Sequence, residues 1–433
     1  MPRYSIIIPT TRSRLLKYSV RSVLAQTFGD FEVVVSDNHA EGVREELAKW
    51  PDPRVRLVRT DTRLPINKSW EFALDHAEGD WVILLADDDV ILPGLLTEIE
   101  SALAGHPSVE AVTWRHGSFV EGTYHAKGIR GRLGSPPFSG RTTLVDNRET
   151  LASLYEMGGR PSDFAAVKRR FPHPAQSAYN AKLIRRIKDR IGAVFNPTTP
   201  DYAATVAVLA LSGSTLVIDK PLMVYHSTSD SNSAAGAGNI ETLKRVYAEL
   251  TNNPFSNVPF KGYLTNRNVI VDTLLDMRKL LPRELEQFRV DPAVYFKNVC
   301  FGLNEVRRQS GPTAAVMEEL AQLDRVLEEQ PDPIRREVRA YMQELQSSVT
   351  PEPMFVRKAF VHLTQSWREL QGGMLLRYHK LLGAIPRTYV QEHGVAARAT
   401  LAGVKDILEY SELLFDVLWD GRHAGRRFRA STR

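Results

Sequence analysis

The chain has 433 residues, 43% of them hydrophobic and 25% charged, an ordinary globular composition and about two to three domains' worth of sequence. A net charge of +5 suits anionic substrates or a membrane surface and is too small to point to nucleic acid. The single cysteine, Cys300, excludes an internal disulfide framework.

Met1-Pro-Arg-Tyr-Ser leads directly into a strand with no apolar leader core. The longest apolar stretch, 203–218, is broken by Ser212-Gly-Ser214 and is too short for a bilayer. A cytoplasmic location is therefore expected. Ser5–Ile8 reads as a short buried strand ended by Pro9, and Leu15, Leu16, Val20, Val23 and Leu24 recur at helical spacing over 14–26. Strands are predicted at 31–35, 55–58, 81–86 and 109–114, alternating with helices at 41–50, 66–77 and 94–104. Such alternation gives an α/β fold, a mainly parallel sheet with helices on both faces.

Residues 116–178 are less regular, with a helical stretch near 147–157. A helix at 181–191, a Phe-Asn-Pro loop, an apolar helix at 201–211 and a strand at 215–219 follow. The Ser/Ala/Gly-rich run around 231–239 reads as a linker. Beyond it the pattern is almost wholly helical, with the clearest helices at 240–251, 262–281, 312–329, 333–347, 355–383 and 400–419. The expected organisation is an α/β domain over 1–230, the linker, an all-α domain over 240–420 and a basic tail over 421–433. Met354, Phe355, Phe360, Leu363, Trp367, Leu370 and Leu375 form an apolar stripe that suits a core or homo-oligomer contact. The tail suits weak contact with anionic lipid.

The densest chemistry is Asp87-Asp88-Asp89 at the end of the apolar strand Trp81–Ala86. Ligands of open α/β sheets bind outside the strands' carboxyl ends. Three neighbouring acids repel one another unless a cation or water neutralises them. One of them would serve as a cap for the helix after Pro93; three exceed that need.

Ser5-Ile-Ile-Ile-Pro-Thr10, Ser22-Val-Leu-Ala-Gln-Thr-Phe28 and Asp30-Phe-Glu-Val-Val-Val-Ser-Asp-Asn38 are followed by Ala77-Glu-Gly-Asp-Trp-Val-Ile-Leu-Leu-Ala-Asp-Asp-Asp89 and Leu92-Pro93-Gly94. In this order and spacing they resemble family-2-type glycosyltransferases of the GT-A (nucleotide-diphospho-sugar transferase) fold, and the likeness fades towards residue 230. The resemblance implies a metal-dependent, inverting transfer of a sugar from a nucleotide diphosphate donor, a UDP- or dTDP-sugar, to an acceptor hydroxyl. The acceptor would be a glycan, a lipid-linked saccharide or another hydroxyl compound, with a role in bacterial surface glycan or glycoconjugate synthesis at the inner face of the membrane.

It further implies a donor site of Pro9, Thr10, Thr11, Arg12, Asp37, Asn38, Asn67, Asp87 and Asp88. Asn38 stands where an acid normally accepts a hydrogen bond from the base, which its carbonyl can still accept. Asp88, Asp89 and His226 are the metal ligands implied, for Mn²⁺ or Mg²⁺, hard cations that suit carboxylates and phosphates. Asp201 is the implied base for the acceptor hydroxyl; a plain N-terminal helix cap after Pro200 is the other reading of that residue. His173, Gln176 and Ser177 are candidates for the acceptor side. Two alternatives stay open. A nucleotidyltransferase would want a Gly- and Arg/Lys-rich loop where Thr10-Thr11-Arg12-Ser13 stands. A non-catalytic scaffold is favoured by Ala86 and Asn38 and opposed by the intact Asp88 and Asp201.

Overall fold

A computed structural model describes residues 1–121, 132–196, 199–228, 240–250, 254–347 and 395–398, with single positions between 371 and 414. The first third follows the predicted alternation: β1 (Tyr4–Thr10), α1 (Leu16–Leu24), β2 (Phe31–Asp37), α2 (Val43–Leu47), β3 (Val55–Arg59), α3 (Ile66–Asp75) and β4 (Trp81–Leu84). Next come β5 (Val90–Ile91), α4 (Leu95–Leu103), β6 (Ala111–Val120), β7 (Arg132–Ser135), β8 (Thr142–Asp146), α5 (Asn147–Tyr155), α6 (Phe164–Lys168), β9 (Ser177–Asn180), α7 (Ala181–Ile191), α8 (Pro200–Leu211) and β10 (Ser214–Ser227). The remaining helices are α9 (Ile240–Leu250), α10 (Asn266–Leu280), α11 (Pro282–Leu285), α12 (Pro292–Ser310), α13 (Ala314–Glu328) and α14 (Asp332–Ser347), before β11 (Val395–Arg398).

The stretch read as irregular thus holds β7, β8, α6 and β9 beside the predicted α5. The strand expected over 215–219 runs to Ser227, because register shifts against β6 on both sides of Pro221 absorb its missing N–H. Helix α12 is missing from the clearest predicted helices, although Asp291 before Pro292 is a start signal and its side chain accepts from Val294 N. The predicted linker, the apolar stripe and the basic tail lie outside the described residues.

The sheet runs β11-β7-β6-β9-β4-β1-β2-β3, with β10 pairing β5, β6 and β8. Strands β3, β2, β1 and β4 are parallel, with Ile6 opposite both Val33 and Ile83. Antiparallel β9 joins β4 to β6, so the sheet beyond the parallel part is mixed. Alternation along a strand divides the core. Ile7, Val34, Val82 and Leu84 meet α3, α5, α7 and α8 on one face. Ile6, Ile8, Val33, Val35, Trp81 and Ile83 meet α1 and α4 on the other.

Helices α10 and α12 extend the first of these layers: Ile270, Leu274, Phe296 and Val299 share one buried cluster with Ala203, Ala207 and Val208 of α8. Polar contacts reinforce the packing. Tyr155 Oη donates to Leu274 O at 2.8 Å, and the Thr199 and Thr273 hydroxyls are 2.6 Å apart. The start of α8 is therefore held by the helical region. Gly79 sits where a Cβ would come within 2.6 Å of Ser5 N, so the turn entering β4 lies flush against β1.

Because β1, β2 and β4 are parallel and in register, their carboxyl ends lie side by side. Asn38 N donates to Thr10 O at 2.9 Å, and Leu85 N to Ile7 O at 2.9 Å. The acid triplet follows at this edge and is clamped by α1. Ser22 Oγ accepts from Ile91 N at 3.2 Å, Gln26 Nε2 donates to Leu92 O at 2.8 Å, and Gln26 Oε1 accepts from Leu96 N at 3.2 Å. Ser22 in α1 and Gln26 just beyond its end thus tie α1 to the segment that follows the acids, three strands later in the chain.

Candidate active site

A cleft of about 810 Å³ opens at the carboxyl edge of the parallel strands. Pro9, Thr10, Thr11 and Arg12 line it together with Asn38, Asp87, Asp88, Asp89, His173, Gln176 and His226. Asp37, Asn67, Ser177 and Asp201 are not on its wall, although Asp201 is joined to His173, which is.

The acids have a cation from the chain itself. Arg12 Nη2 lies 2.8 Å from Asp87 Oδ1 and 2.8 Å from Asp88 Oδ2, and Arg12 Nε reaches Asp87 at 3.2 Å. Thr10 Oγ1 donates to Asp87 Oδ2 at 2.6 Å. Burial opposes the Arg12 charge, but Asp87 and Asp88 outweigh it and raise its pKa above the usual guanidinium value. Burial pushes the Asp87 carboxyl up, with Arg12 pulling against it and a net rise remaining. Burial, and then the charge of Asp88, push Asp89 well above the usual carboxylate range.

Asp89 serves the backbone: its Oδ1 accepts from His226 N at 2.8 Å. The His226 ring places Nδ1 3.1 Å from Asp88 O and Nε2 3.1 Å from Glu121 Oε1. Burial lowers the His226 pKa, against Glu121 and Asp88. Among the described residues no group of three or more His, Cys, Asp or Glu side chains is arranged to hold a metal ion. Asp88, Asp89 and His226 therefore do not form the three-ligand set expected of them. The carboxylate oxygens of Asp87 and Asp88 have the hard donor chemistry that Mg²⁺ or Mn²⁺ wants. They fit an ion that arrives with phosphates completing its shell, as Mg²⁺ usually does, rather than a preformed cage.

The Asn38 and Asp37 side chains are engaged by the chain itself. Asn38 Oδ1 accepts from Leu64 N at 2.8 Å and from Thr60 Oγ1 at 3.2 Å, and Asn38 Nδ2 donates to Leu64 O at 2.8 Å. Both lone pairs of its carbonyl are engaged, so the side chain holds the 60–64 loop against β2 instead of offering an acceptor to a base. Asp37 accepts from Ala40 N at 2.7 Å and pairs with Arg59 at 3.0 Å, so its carboxylate holds the turn that leaves β2. Among the described residues, Asn67 Oδ1 and Ser177 Oγ are buried without a hydrogen-bond partner. Neither reaches the cleft wall.

Asp201 is not the helix cap. Thr199 is the cap residue, Pro200 opens α8, and Asp201 stands inside the first turn. Its Oδ2 accepts from His173 Nε2 at 3.1 Å. His173 Nδ1 accepts from Ala175 N at 3.3 Å, which assigns the ring proton to Nε2 and makes the imidazole a donor to Asp201. Pro172 and Pro174 hold the short turn that presents this ring. Burial raises the Asp201 pKa, but the His173 and Tyr202 N–H groups outweigh it and leave it below the ordinary carboxylate value. Gln176 is turned onto Tyr225, whose Oη donates to Gln176 Oε1 at 2.9 Å.

Several lining residues lie outside the site expected from the sequence. Trp114 and His116 are two apart on β6, so strand alternation puts both on one side. His116 stacks on Tyr225 with ring centroids 4.0 Å apart. Arg63, Leu64, Trp70, Lys168 and Tyr202 complete much of the wall.

Residues 5–171 match the model of glycosyl transferase family 2. A stretch of 115 residues is 33% identical to the GalNAc(5)-diNAcBac-PP-undecaprenol beta-1,3-glucosyltransferase of Campylobacter jejuni, covering 25% of this chain and 37% of that protein. Another of 116 residues is 24% identical to the putative glycosyltransferase EpsE of Bacillus subtilis, covering 26% and 42% respectively. The matches thus span less than half the length of these curated relatives. Among solved structures, S. aureus TarS 1–349 in complex with UDP-GlcNAc is similar at 14% identity, covering 80% of this chain and 92% of that one, with a TM-score of 0.44. The N-terminal segment carries the family resemblance that its motifs implied.

Proposed function

We propose that the chain transfers a sugar from a nucleoside diphosphate donor to an acceptor hydroxyl, with inversion in one displacement. The observation that carries this reading is a single cleft lined by the Thr10–Arg12 loop, by Asp87 and Asp88, and by His173 hydrogen-bonded to Asp201. The diphosphate binds along Thr10, Thr11 and Arg12 beside Asp87 and Asp88. Asp88 would hold the Mg²⁺ or Mn²⁺ ion that comes with it, and Arg12 would exchange the carboxylates for phosphate. When bound, the ion neutralises the diphosphate as leaving group.

Asp201 takes the proton from the attacking hydroxyl as the new glycosidic bond forms and the bond to the diphosphate breaks. His173 fixes the carboxylate's rotamer and keeps it ionised. Asp89, through the His226 backbone, holds the acid loop in place. A cytoplasmic setting at the inner face of a membrane, and a role in surface glycan synthesis, are supported by the undecaprenol-linked acceptor named for the Campylobacter relative. No helix among the described residues is long and apolar enough to cross a membrane.

A second reading, transfer without a metal, is favoured by one observation: Arg12 already supplies a cation between Asp87 and Asp88. One assay separates the two. UDP-, dTDP- and GDP-sugars are incubated with the full chain and a panel of glycoside acceptors, with Mn²⁺ or with a chelator. The first reading expects nucleoside diphosphate release from a uridine or thymidine donor in Mn²⁺ only, and a product of inverted anomeric configuration by NMR. Equal turnover in chelator selects the second reading. Retention of configuration, or no donor consumed anywhere in the panel, overturns both.

A further inference from the structure

We propose that the acceptor side of the cleft contains a subsite for a phosphate ester, built on Lys168 with Arg267 behind it, so that the attacking hydroxyl belongs to a phosphate-bearing acceptor. This rests on the transferase reading above and names the acceptor's chemical class. Lys168 closes α6 and lines the cleft. Its Nζ stands 5.3 Å from the centre of the Phe164 ring and 5.4 Å from that of Tyr202, the residue after Asp201. Arg267 lies over the same Phe164 ring, with Cζ at 4.3 Å.

Two half-buried cations therefore share one aromatic ring. Among the described residues the guanidinium of Arg267 reaches only neutral oxygens, Asn298 Oδ1 at 3.4 Å and Pro161 O at 3.3 Å. Among the described residues neither cation has an ion pair with a carboxylate. Ring faces attract cations, but only weakly, and like charges removed from water are costly until an anion joins them. The cost is visible in Lys168: burial, then the charge of Arg267, push its ammonium down to about 8, with Asp201 pulling the other way. A cation placed in this way, on the cleft wall and beside the residue next to the proposed base, is a candidate ligand contact. Exposed Arg169, the next residue, also lines the cleft and adds positive charge.

A phosphate held by Lys168 would lie beside Tyr202 and so close to Asp201, which sets the hydroxyl that is deprotonated by its distance from the phosphate. The shared chemistry, a phosphate ester, has two sources: a phosphorylated glycan or a lipid-linked diphosphate saccharide. Glycerol phosphate and geranyl diphosphate represent them.

Calorimetric titration of the full chain with each probe, in saturating UDP and Mn²⁺ and again without them, tests the subsite. Lys168→Met is expected to weaken binding by about tenfold or more, the worth of one charge-assisted contact, while Lys168→Arg retains it and UDP affinity is unchanged in both variants. The larger loss with glycerol phosphate assigns a phosphorylated glycan, and with geranyl diphosphate a lipid-linked acceptor. Undiminished binding of both probes to Lys168→Met overturns the proposal. So does equal binding of uncharged glycerol by the wild-type chain. Should Lys168→Met fail to fold, amine acylation of the wild type replaces it: protection of Lys168 by either probe supports the subsite, and no protection overturns it. Failure of the donor reading would appear separately, as absent UDP binding in the wild type.

Discussion

Asp201→Asn lowers the rate of sugar transfer by about 10²- to 10⁴-fold, the contribution typical of a positioned general base, while donor affinity stays close to that of the wild type. The asparagine keeps the size of the side chain and can still accept from His173 Nε2, 3.1 Å away from the present carboxylate. It cannot take a proton. Loss confined to kcat is what removal of a transition-state interaction produces.

The proton balance gives this prediction a pH arm. The hydrogen bond from His173 is the leading influence that lowers the Asp201 pKa against burial. Removing that donor, as in His173→Phe, lets the pKa rise, so the acid limb of kcat/KM moves to higher pH. A structural role alone for His173 would change the magnitude of activity and leave the position of the limb. Full transfer by Asp201→Asn would show that another group is the base.

Arg12→Met costs about 3–5 kcal/mol of folding stability at neutral pH, the range for leaving buried charges without their partner. The Asp87 and Asp88 side chains are only 9% and 10% exposed, so water screens them little. The sign of the pH dependence follows from the raised carboxyls. Asp87 and Asp89 have folded-state pKa values above the ordinary 3.8. The stability linked to them is fully present below that ordinary value and is lost as pH rises through the raised one. Taking away Arg12 raises them further. The deficit of Arg12→Met is therefore largest at neutral pH and closes on acidification, and Mn²⁺ recovers part of it. Urea unfolding of both proteins at neutral and acidic pH checks this. A variant as stable as the wild type at neutral pH would contradict the compensating role of Arg12.

The parallel half of the fold was legible because buried strands advertise themselves. Ile6–Ile8, Val33–Val35 and Val82–Leu84 are unbroken apolar runs, and the helices between them carry 3.6-residue periodicity. The stretch after β6 was not legible in the same way. Strands β7 and β8 are short and partly exposed, with Leu144 48% accessible, and a strand that meets water on one side has no continuous apolar run to betray it.

The acid loop was readable as a cluster of charge, but its counter-charge was not. Arg12 stands 75 residues before Asp87, and only the pairing of β1 with β4 brings it onto Asp87 and Asp88. His173 and Asp201 are 28 residues apart, and nothing local in the sequence predicts their hydrogen bond. Asn38 was legible in place and not in role. Its amide pattern matches the backbone of Leu64 as well as it would match a base, and the covalently tethered partner is the one it meets in the fold. Sequence position thus identified the edge where the cleft opens, while tertiary pairing decided which polar groups on that edge remain available.

If the loop after β1 and the acids after β4 together hold a nucleoside diphosphate with its cation, both should be felt in the stability of the chain. Thermal-shift titration of the full chain with UDP, dTDP, GDP, ADP and CDP, each with and without Mn²⁺, reads this out, with Asp88→Asn run in parallel. UDP or dTDP is expected to stabilise the wild-type chain more strongly in Mn²⁺, and Asp88→Asn to lose the Mn²⁺-dependent part of the shift. Stabilisation by no nucleoside diphosphate, or an equal Mn²⁺-dependent shift in Asp88→Asn, would contradict the donor site.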